Sequence, residues 1–392
     1  MEYVLLSDVG SFSDERISIE QVTVDNYVST ENMVPNKGGV IQASSLPDAK
    51  KVSKYNPRDI LLSNIRPYFK KIWFANCTGG CSNDVLVVHP KNGIDAKFLY
   101  YVLSDSNFFN YDTLTAKGTK MPRGTKHAIL KYWVPNLPLP TQQKIASILS
   151  AYDSQIENNQ KRIKLLEQMA ENLYKEWFVR FRFPGYETAE FEGGMPKGWN
   201  VEKLKKFITF YRGKSYSSDD ISSGDYVLLS MNNIRPWGGY IRDDSRVYGG
   251  SFKDFQLIHK GDLIMSITDM TQDRRIIGYV GIFDEERDDC IMSTHLMKVV
   301  SEYNNYYLYG LFNFSLSRNI SEYATGANVL GLTDKILKEI KALVPPEKLI
   351  SQYGKMVRPV WEEIFHLKDE IANLTKQRDL LLPRLMSGKL SI

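Results

Sequence analysis

Residues 50–71 hold seven cations (Lys50, Lys51, Lys54, Arg58, Arg66, Lys70, Lys71) and one acid, Asp59. Lys117-Gly118-Thr119-Lys120-Met121-Pro122-Arg123-Gly124-Thr125-Lys126 adds four cations without an acid, and its glycines let backbone amides approach an anion. Farther on, Met231-Asn232-Asn233-Ile234-Arg235-Pro236-Trp237-Gly238-Gly239-Tyr240 follows an apolar run, and Gln272, Arg274, Arg275 and Thr325-Gly326-Ala327-Asn328 come later. Arginine forks guanine, asparagine and glutamine fork adenine, and lysine with glycine-loop amides holds phosphates. A solvated charged face accounts for any one stretch equally well. Such residues in corresponding loops of two repeats point instead to nucleic acid. The candidate contacts are Asn32, Asn64, Arg66, Lys117, Thr119, Lys120 and Arg123 in the first half. In the second half they are Arg212, Lys214, Asn232, Asn233, Arg235, Trp237, Gln272, Arg274, Arg275 and Asn328.

Catalytic patterns are missing. There is no phosphate-binding Gly-x4-Gly-Lys-Ser/Thr loop, no Gly-x-Ser-x-Gly elbow, no His-Glu-x-x-His, and no Asn/Asp-Pro-Pro-aromatic tetrapeptide. Cys77-x3-Cys81 with His89 lacks a fourth zinc ligand. Asp48 with Asp95 and Lys97 is a nuclease-like set too short to carry weight, and Asp95 reads as the cap of a helix near Phe98. A non-catalytic chain without a metal site is expected, and the basic and amide-rich loops make DNA its expected ligand. The rivals are a metal-dependent nicking enzyme using Asp95 and a structural dimeriser with protein- or carbohydrate-binding domains.

The elements that position these residues repeat. Asp59-Ile60-Leu61-Leu62-Ser63 returns as Asp262-Leu263-Ile264-Met265-Ser266, displaced by 203. Ile156, Ile163, Leu166 and Leu173 return as Ile364, Ile371, Leu374 and Leu381, displaced by 208. A period of half the chain means two related globular units rather than a solenoid. The first part of each copy reads as β-rich, with strand candidates Asp84–Val88 and Tyr226–Leu229. The second part is a heptad helix. Ile145, Leu149, Tyr152, Ile156, Ile163, Leu166, Ala170, Leu173 and Trp177 keep one a/d frame, broken only by Asn159. Tyr353, Val357, Val360, Ile364, Leu367, Ile371, Leu374 and Leu381 keep the other, with Arg378 interrupting. Asn159 is expected to fix register, and Pro359 to kink the second helix or delay its start. The expected blocks are a recognition domain at 1–138, a helix at 139–182, a Gly/Pro-rich linker at 183–198, a second recognition domain at 199–344 and a second helix at 345–392.

The 392 residues carry 50 Lys+Arg against 46 Asp+Glu, so nucleic-acid contact must come from local patches rather than bulk charge. Three cysteines suggest reduced thiols. With neither an 18-residue apolar run nor a signal-like start in the first twenty residues, a cytoplasmic chain without membrane contact is expected.

The pattern resembles the specificity (S) subunit of Type I restriction–modification systems. The resemblance rests on Leu137-Pro138-Leu139-Pro140-Thr141-Gln142-Gln143-Lys144-Ile145, Leu173-Tyr174-Lys175-Glu176-Trp177-Phe178, Met195-Pro196-Lys197-Gly198-Trp199 and Arg378-Asp379-Leu380-Leu381-Leu382-Pro383-Arg384-Leu385-Met386-Ser387-Gly388-Lys389-Leu390. It covers essentially the whole chain. It implies an α+β fold of two β-rich target-recognition domains, each followed by a long helix, the helices pairing as an antiparallel coiled coil with pseudo-two-fold symmetry. It also implies double-stranded DNA read as a bipartite, gapped site, with two methyltransferase subunits and translocase/nuclease subunits as partners. No cofactor is implied in this chain, and S-adenosylmethionine is expected in the methyltransferase. The outward helix faces, including Gln142, Gln143 and Arg162, are where the modification subunits would dock. At 1.5 Å per residue, Ile145 to Trp177 spans ~48 Å, the rise of about 14 base pairs.

Overall fold

The computed structural model describes residues 2–386 except Ser222, Asp244 and Gln272. It is an α+β chain of short strands and short helices interrupted by two long helices, Leu139–Tyr174 and Glu347–Met386. None of the helices described is long and apolar enough to cross a membrane. The chain divides into two compact units. One takes everything up to Gln160 together with the chain from Asp369 onward, and the other is Lys161–Lys368.

In the first unit Gly10–Phe12, Val85–Pro90, Ile60–Ser63 and Ile72–Phe74 lie side by side in that order, antiparallel throughout. The runs Ile60-Leu61-Leu62 and Val85-Leu86-Val87-Val88 are apolar at every position because both sheet faces are covered. Ile60, Leu62, Leu86 and Val88 face the core of Leu99, Phe108 and Ile145, whereas Leu61, Val85 and Val87 face Val28, Met33 and Tyr55. A second sheet orders Arg16–Ser18, Lys51–Tyr55, Gly79–Cys81 and Tyr27–Val28, with only the last pair parallel.

The second unit repeats this plan. Thr209–Arg212, Leu296–Val300, Leu263–Ser266 and Val280–Ile282 form the antiparallel sheet. Cys290–Met292 then lies between Tyr226–Leu229, parallel, and Leu257–Ile258, antiparallel. Register places Val85 opposite Ser63 and Leu296 opposite Ser266, so residues 84 and 295 occupy the same place in the two repeats.

Each unit contains its own length of helix pair. In the first, Ile145, Ala146 and Leu149 share a core with Leu382, Leu385 and Met386, and Arg378 Nη1 donates to Asp153 at 2.7 Å. One helix ascends as the other descends, so the pairing is antiparallel. In the second unit Arg162 Nη2 donates to Glu363 at 2.5 Å, and Tyr174 and Trp177 pack on the Tyr353 ring, again antiparallel. This pairing explains why the compact units differ from the blocks in the sequence. It brings the end of the second helix onto the first recognition domain, so each long helix contributes to both units.

The heptad frame is the buried stripe, from Ile145, Leu149 and Ile156 to Ala170 and Trp177, and from Tyr353 to Leu367. Asn159 is buried in that stripe with both amide atoms unpartnered. The expected delay at Pro359 does not occur, since the helix runs from Glu347 through it. Pro359 lies on the exposed face, where the carbonyl one turn earlier can turn to solvent.

Candidate nucleic-acid interface

In each unit three segments meet at one end of the sheets. The first is the loop after Tyr27–Val28 or Tyr226–Leu229, held by one buried asparagine. Asn32 Oδ1 accepts from Ser29 N at 2.6 Å, and its Nδ2 donates to Tyr27 O and Ile41 O. Asn233 Oδ1 accepts from Ser230 N at 2.8 Å, and its Nδ2 donates to Ile241 O and Asp243 O. Only an amide supplies both acceptor and donors in that space. These contacts correct the reading of Asn32 and Asn233 as base contacts, because both amides are consumed inside their own loops.

The second segment is a tight hairpin, Lys117–Arg123 or Thr325–Gly331, closed by a bridge between its end residues. Its second residue is Gly118 or Gly326, at φ +101° and +139°, where a Cβ would be strained. Lys120 and Asn328 occupy equivalent exposed positions near the tips. The third segment is the strand end on which the hairpin rests. Ile65 bridges Arg123 and Arg66 N donates to Pro122 O at 2.8 Å, while Thr268–Asp269 pairs with Leu330–Gly331.

In the first unit this brings Asn64, Arg66, Lys117, Thr119, Lys120 and Arg123 onto one surface. Lys117, Thr119, Lys120 and Arg123 are exposed. Lys71 Nζ, donating to Thr30 O at 2.5 Å, ties the loop to the strand end, and burial pulls its pKa below the usual lysine value. A cleft of about 410 Å³ opens beside the stapled loop, lined by Thr30, Glu31, Gln42, Ser82 and Asp84 among others. Asp84 lies 3.1 Å from Arg123.

In the second unit Asn232 is exposed, and its neighbour Met231 touches Thr268. Thr268 Oγ1 is 3.0 Å from His295 Nδ1. Burial, with Arg246 and Arg212 nearby, lowers the His295 pKa and favours a neutral ring. Lys214 bridges Ser293 close by. Trp237 is exposed at φ +68°, its N–H donating to Arg275 O and its ring edge-on to Tyr279. Arg274 Nη1 donates to Ser321 O at 2.9 Å, and Arg275 Nε stands 3.3 Å from Asp273 without hydrogen-bond alignment. Gln272 lies outside the described residues.

Arg235 needs a second correction. Its Nε donates to Gly238 O and its Nη2 to Glu167 on the first long helix, both at 3.0 Å, so it ties the loop to that helix. Gln142 needs a third. It is buried, its Oε1 accepting from Asp95 N and its Nε2 donating to Leu137 O, so it offers a partner nothing. Gln143 and Arg162 are exposed, the latter paired with Glu363.

Sequence reading missed Asp84, Thr268, His295 and Arg246. Aligning the repeats on the strands Val85–Pro90 and Leu296–Val300 would have placed Asp84 and His295 together. The nuclease-like set dissolves in the fold. Asp95 Oδ1 accepts from Phe98 N at 2.8 Å as a helix cap, Lys97 Nζ sits over the Phe74 and Tyr100 rings, and no metal-binding cluster occurs among the described residues.

Residues 4–168 and 196–352 each match the family model described as the Type I restriction modification DNA specificity domain. The Type I restriction enzyme MjaIX specificity subunit of Methanocaldococcus jannaschii is 24% identical over 313 residues, 77% of this chain and 71% of that one. The Type I restriction enzyme HindI specificity subunit of Haemophilus influenzae is 23% identical, with 98% of each chain covered. The crystal structure of the Type I restriction–modification S subunit from M. genitalium superposes with a TM-score of 0.56 at 16% identity, covering 98% and 96% of the two chains, a likeness of fold. With the matched domain present twice and spanning most of the chain, this protein belongs to the Type I restriction–modification DNA specificity family, the DNA-recognition and non-catalytic component of those systems.

Proposed function

We propose that the two units read the two halves of a bipartite, gapped DNA site, and that the chain brings methyltransferase and translocase/nuclease subunits to that site. The observation that carries this is one scaffold built twice with different exposed residues. A stapled loop, a strand end and a hairpin recur in each unit, bearing exposed Lys117, Thr119, Lys120 and Arg123 in one, and exposed Asn232, Trp237 and Asn328 with half-buried Thr268 and His295 in the other. A constant frame with variable tips is what two readers of two different sequences require. The lysines and glycine-loop amides hold backbone. The Arg123 guanidinium, the exposed asparagine amides and the half-buried His295 ring are the groups set toward base edges. Arg66, Arg212, Lys214, Arg274 and Arg275 flank those tips and add positive field. The helices are the spacer, and their length sets the unread gap. Gln143 and Arg162 lie on helix faces offered to the modification subunits, whose S-adenosylmethionine supplies the methyl group.

Methylation mapping tests the reading. DNA from cells carrying this chain and its neighbouring methyltransferase is compared with DNA from cells lacking only this chain. A gapped adenine-methylated motif that vanishes on deletion is expected. An unchanged methylome, with the methyltransferase expressed, would refute it.

A further inference from the structure

The pairing of Arg123 with Asp84 goes further and rests on the function just proposed. The backbone of Arg123 is pinned on both sides. It exchanges two hydrogen bonds with Lys117, each 2.9 Å, and bridges Ile65 on its other edge. Its guanidinium is half exposed and its Nη2 lies 3.1 Å from Asp84 as an ion pair, and among the described residues its remaining N–H donors have no other partner. Asp84 is itself fixed, because its carbonyl accepts from Asn64 N at 2.8 Å.

A free arginine side chain has many rotamers and sits equally well on phosphates or bases. One pinned at its backbone and drawn toward a neighbouring carboxylate visits fewer of those directions. The geometry suits the O6 and N7 acceptors of guanine. The carboxylate also disfavours a phosphate at that place, since two anions would crowd one cation. The second unit lacks both members of the pair. His295 replaces Asp84, and Gly331 stands where Arg123 does.

We propose that Arg123 reads a guanine in the half-site of the first unit and that Asp84 is its positioning residue, with no counterpart in the second. The test is methylome mapping with the partner methyltransferase for the unmodified chain, Arg123→Ala, Arg123→Lys and Asp84→Asn. The unmodified chain gives a motif with an invariant guanine in one half-site. Arg123→Lys keeps the charge but not the fork, so it continues to methylate while discrimination at that single position falls about ten- to a hundredfold. Asp84→Asn relaxes the same position, and the other half-site is untouched in every variant.

Uniformly weaker methylation with unchanged base preference in Arg123→Lys and Asp84→Asn would make Arg123 a phosphate contact and overturn the proposal. Unaltered motifs in all three variants would overturn it as well. If Arg123→Ala merely unfolds the hairpin, the lysine and asparagine variants still decide. The absence of any gapped motif with the unmodified chain would instead sink the function on which this inference depends.

Discussion

At the scale of single residues, the polar side chains divide into those the fold consumes and those it leaves free. Asn32 and Asn233 look like base readers in sequence, yet each is fully engaged with backbone groups of its own loop. Removing such an amide leaves buried backbone groups unpaired, at a cost of about 1–3 kcal/mol. Asn233→Ala should therefore lower the melting temperature and speed hydrogen exchange across 230–241, whereas a surface change at Asn232 should alter DNA binding and leave the melt in place. Asp112 makes a pH prediction. Burial raises its pKa to about 6, and its unpartnered Oδ1 faces Gly124 beside the equally unpartnered Asn64 Oδ1. Between the unfolded value near 4 and the folded value near 6, the folded chain binds the extra proton. Its contribution to stability is then present at low pH and lost as pH rises through 6. Melts of the unmodified chain and Asp112→Asn from pH 4.5 to 7.5 should diverge by about 2–3 kcal/mol, the variant gaining relative stability at the higher pH. Parallel curves would show that Asp112 titrates normally.

At the scale of elements, helices and sheets lock together through small residues and isolated charges. Gly310, in the helix Asn305–Gly310, leaves no room for a side chain, since a Cβ there would lie 2.1 Å from the Tyr174 ring on the first long helix. Gly310→Ala should cost about 1–3 kcal/mol by forcing those elements apart, readable as a lower midpoint in urea with an unchanged slope. Lys368 Nζ donates at 2.6 Å to the buried carboxylate of Asp284, which Arg242 also holds at 2.8 Å, tying the second long helix to the second recognition domain. The first unit has its own ties, with Lys37 on Asp379 at 3.1 Å and Tyr101 on Asp153 at 2.5 Å. These contacts explain how loops in short, irregular strands can be held in fixed direction by long regular helices.

For the whole molecule, each long helix contributes to both units, so the spacer proposed above is the helix pair rather than either helix alone. A seven-residue insertion within 156–173 needs a matching one in the second helix to keep the buried stripe in register. The paired insertion adds about 10.5 Å, the rise of about three base pairs. The methylated motif should keep both half-sites and widen its gap by about that amount. A motif whose half-sites change would contradict the spacer role.

The sequence alone determined the duplication, the α+β plan, the family and the two helical frames, because apolar periodicity and repeated strand cores are local properties that packing enforces residue by residue. It also marked Asp95 as a helix cap, as the bond to Phe98 N bears out. Tertiary structure decided what each polar loop residue does. Whether Asn233 meets a base or Ile241 O, whether Arg235 points outward or at Glu167, and whether Gln142 faces a partner or Asp95 depends on segments far apart in the chain. It also decided that Asp84 meets Arg123, 39 residues on, through a hairpin that neither residue encodes. Hydrogen-bonding side chains are promiscuous in type and specific only in position, and position is supplied by the fold.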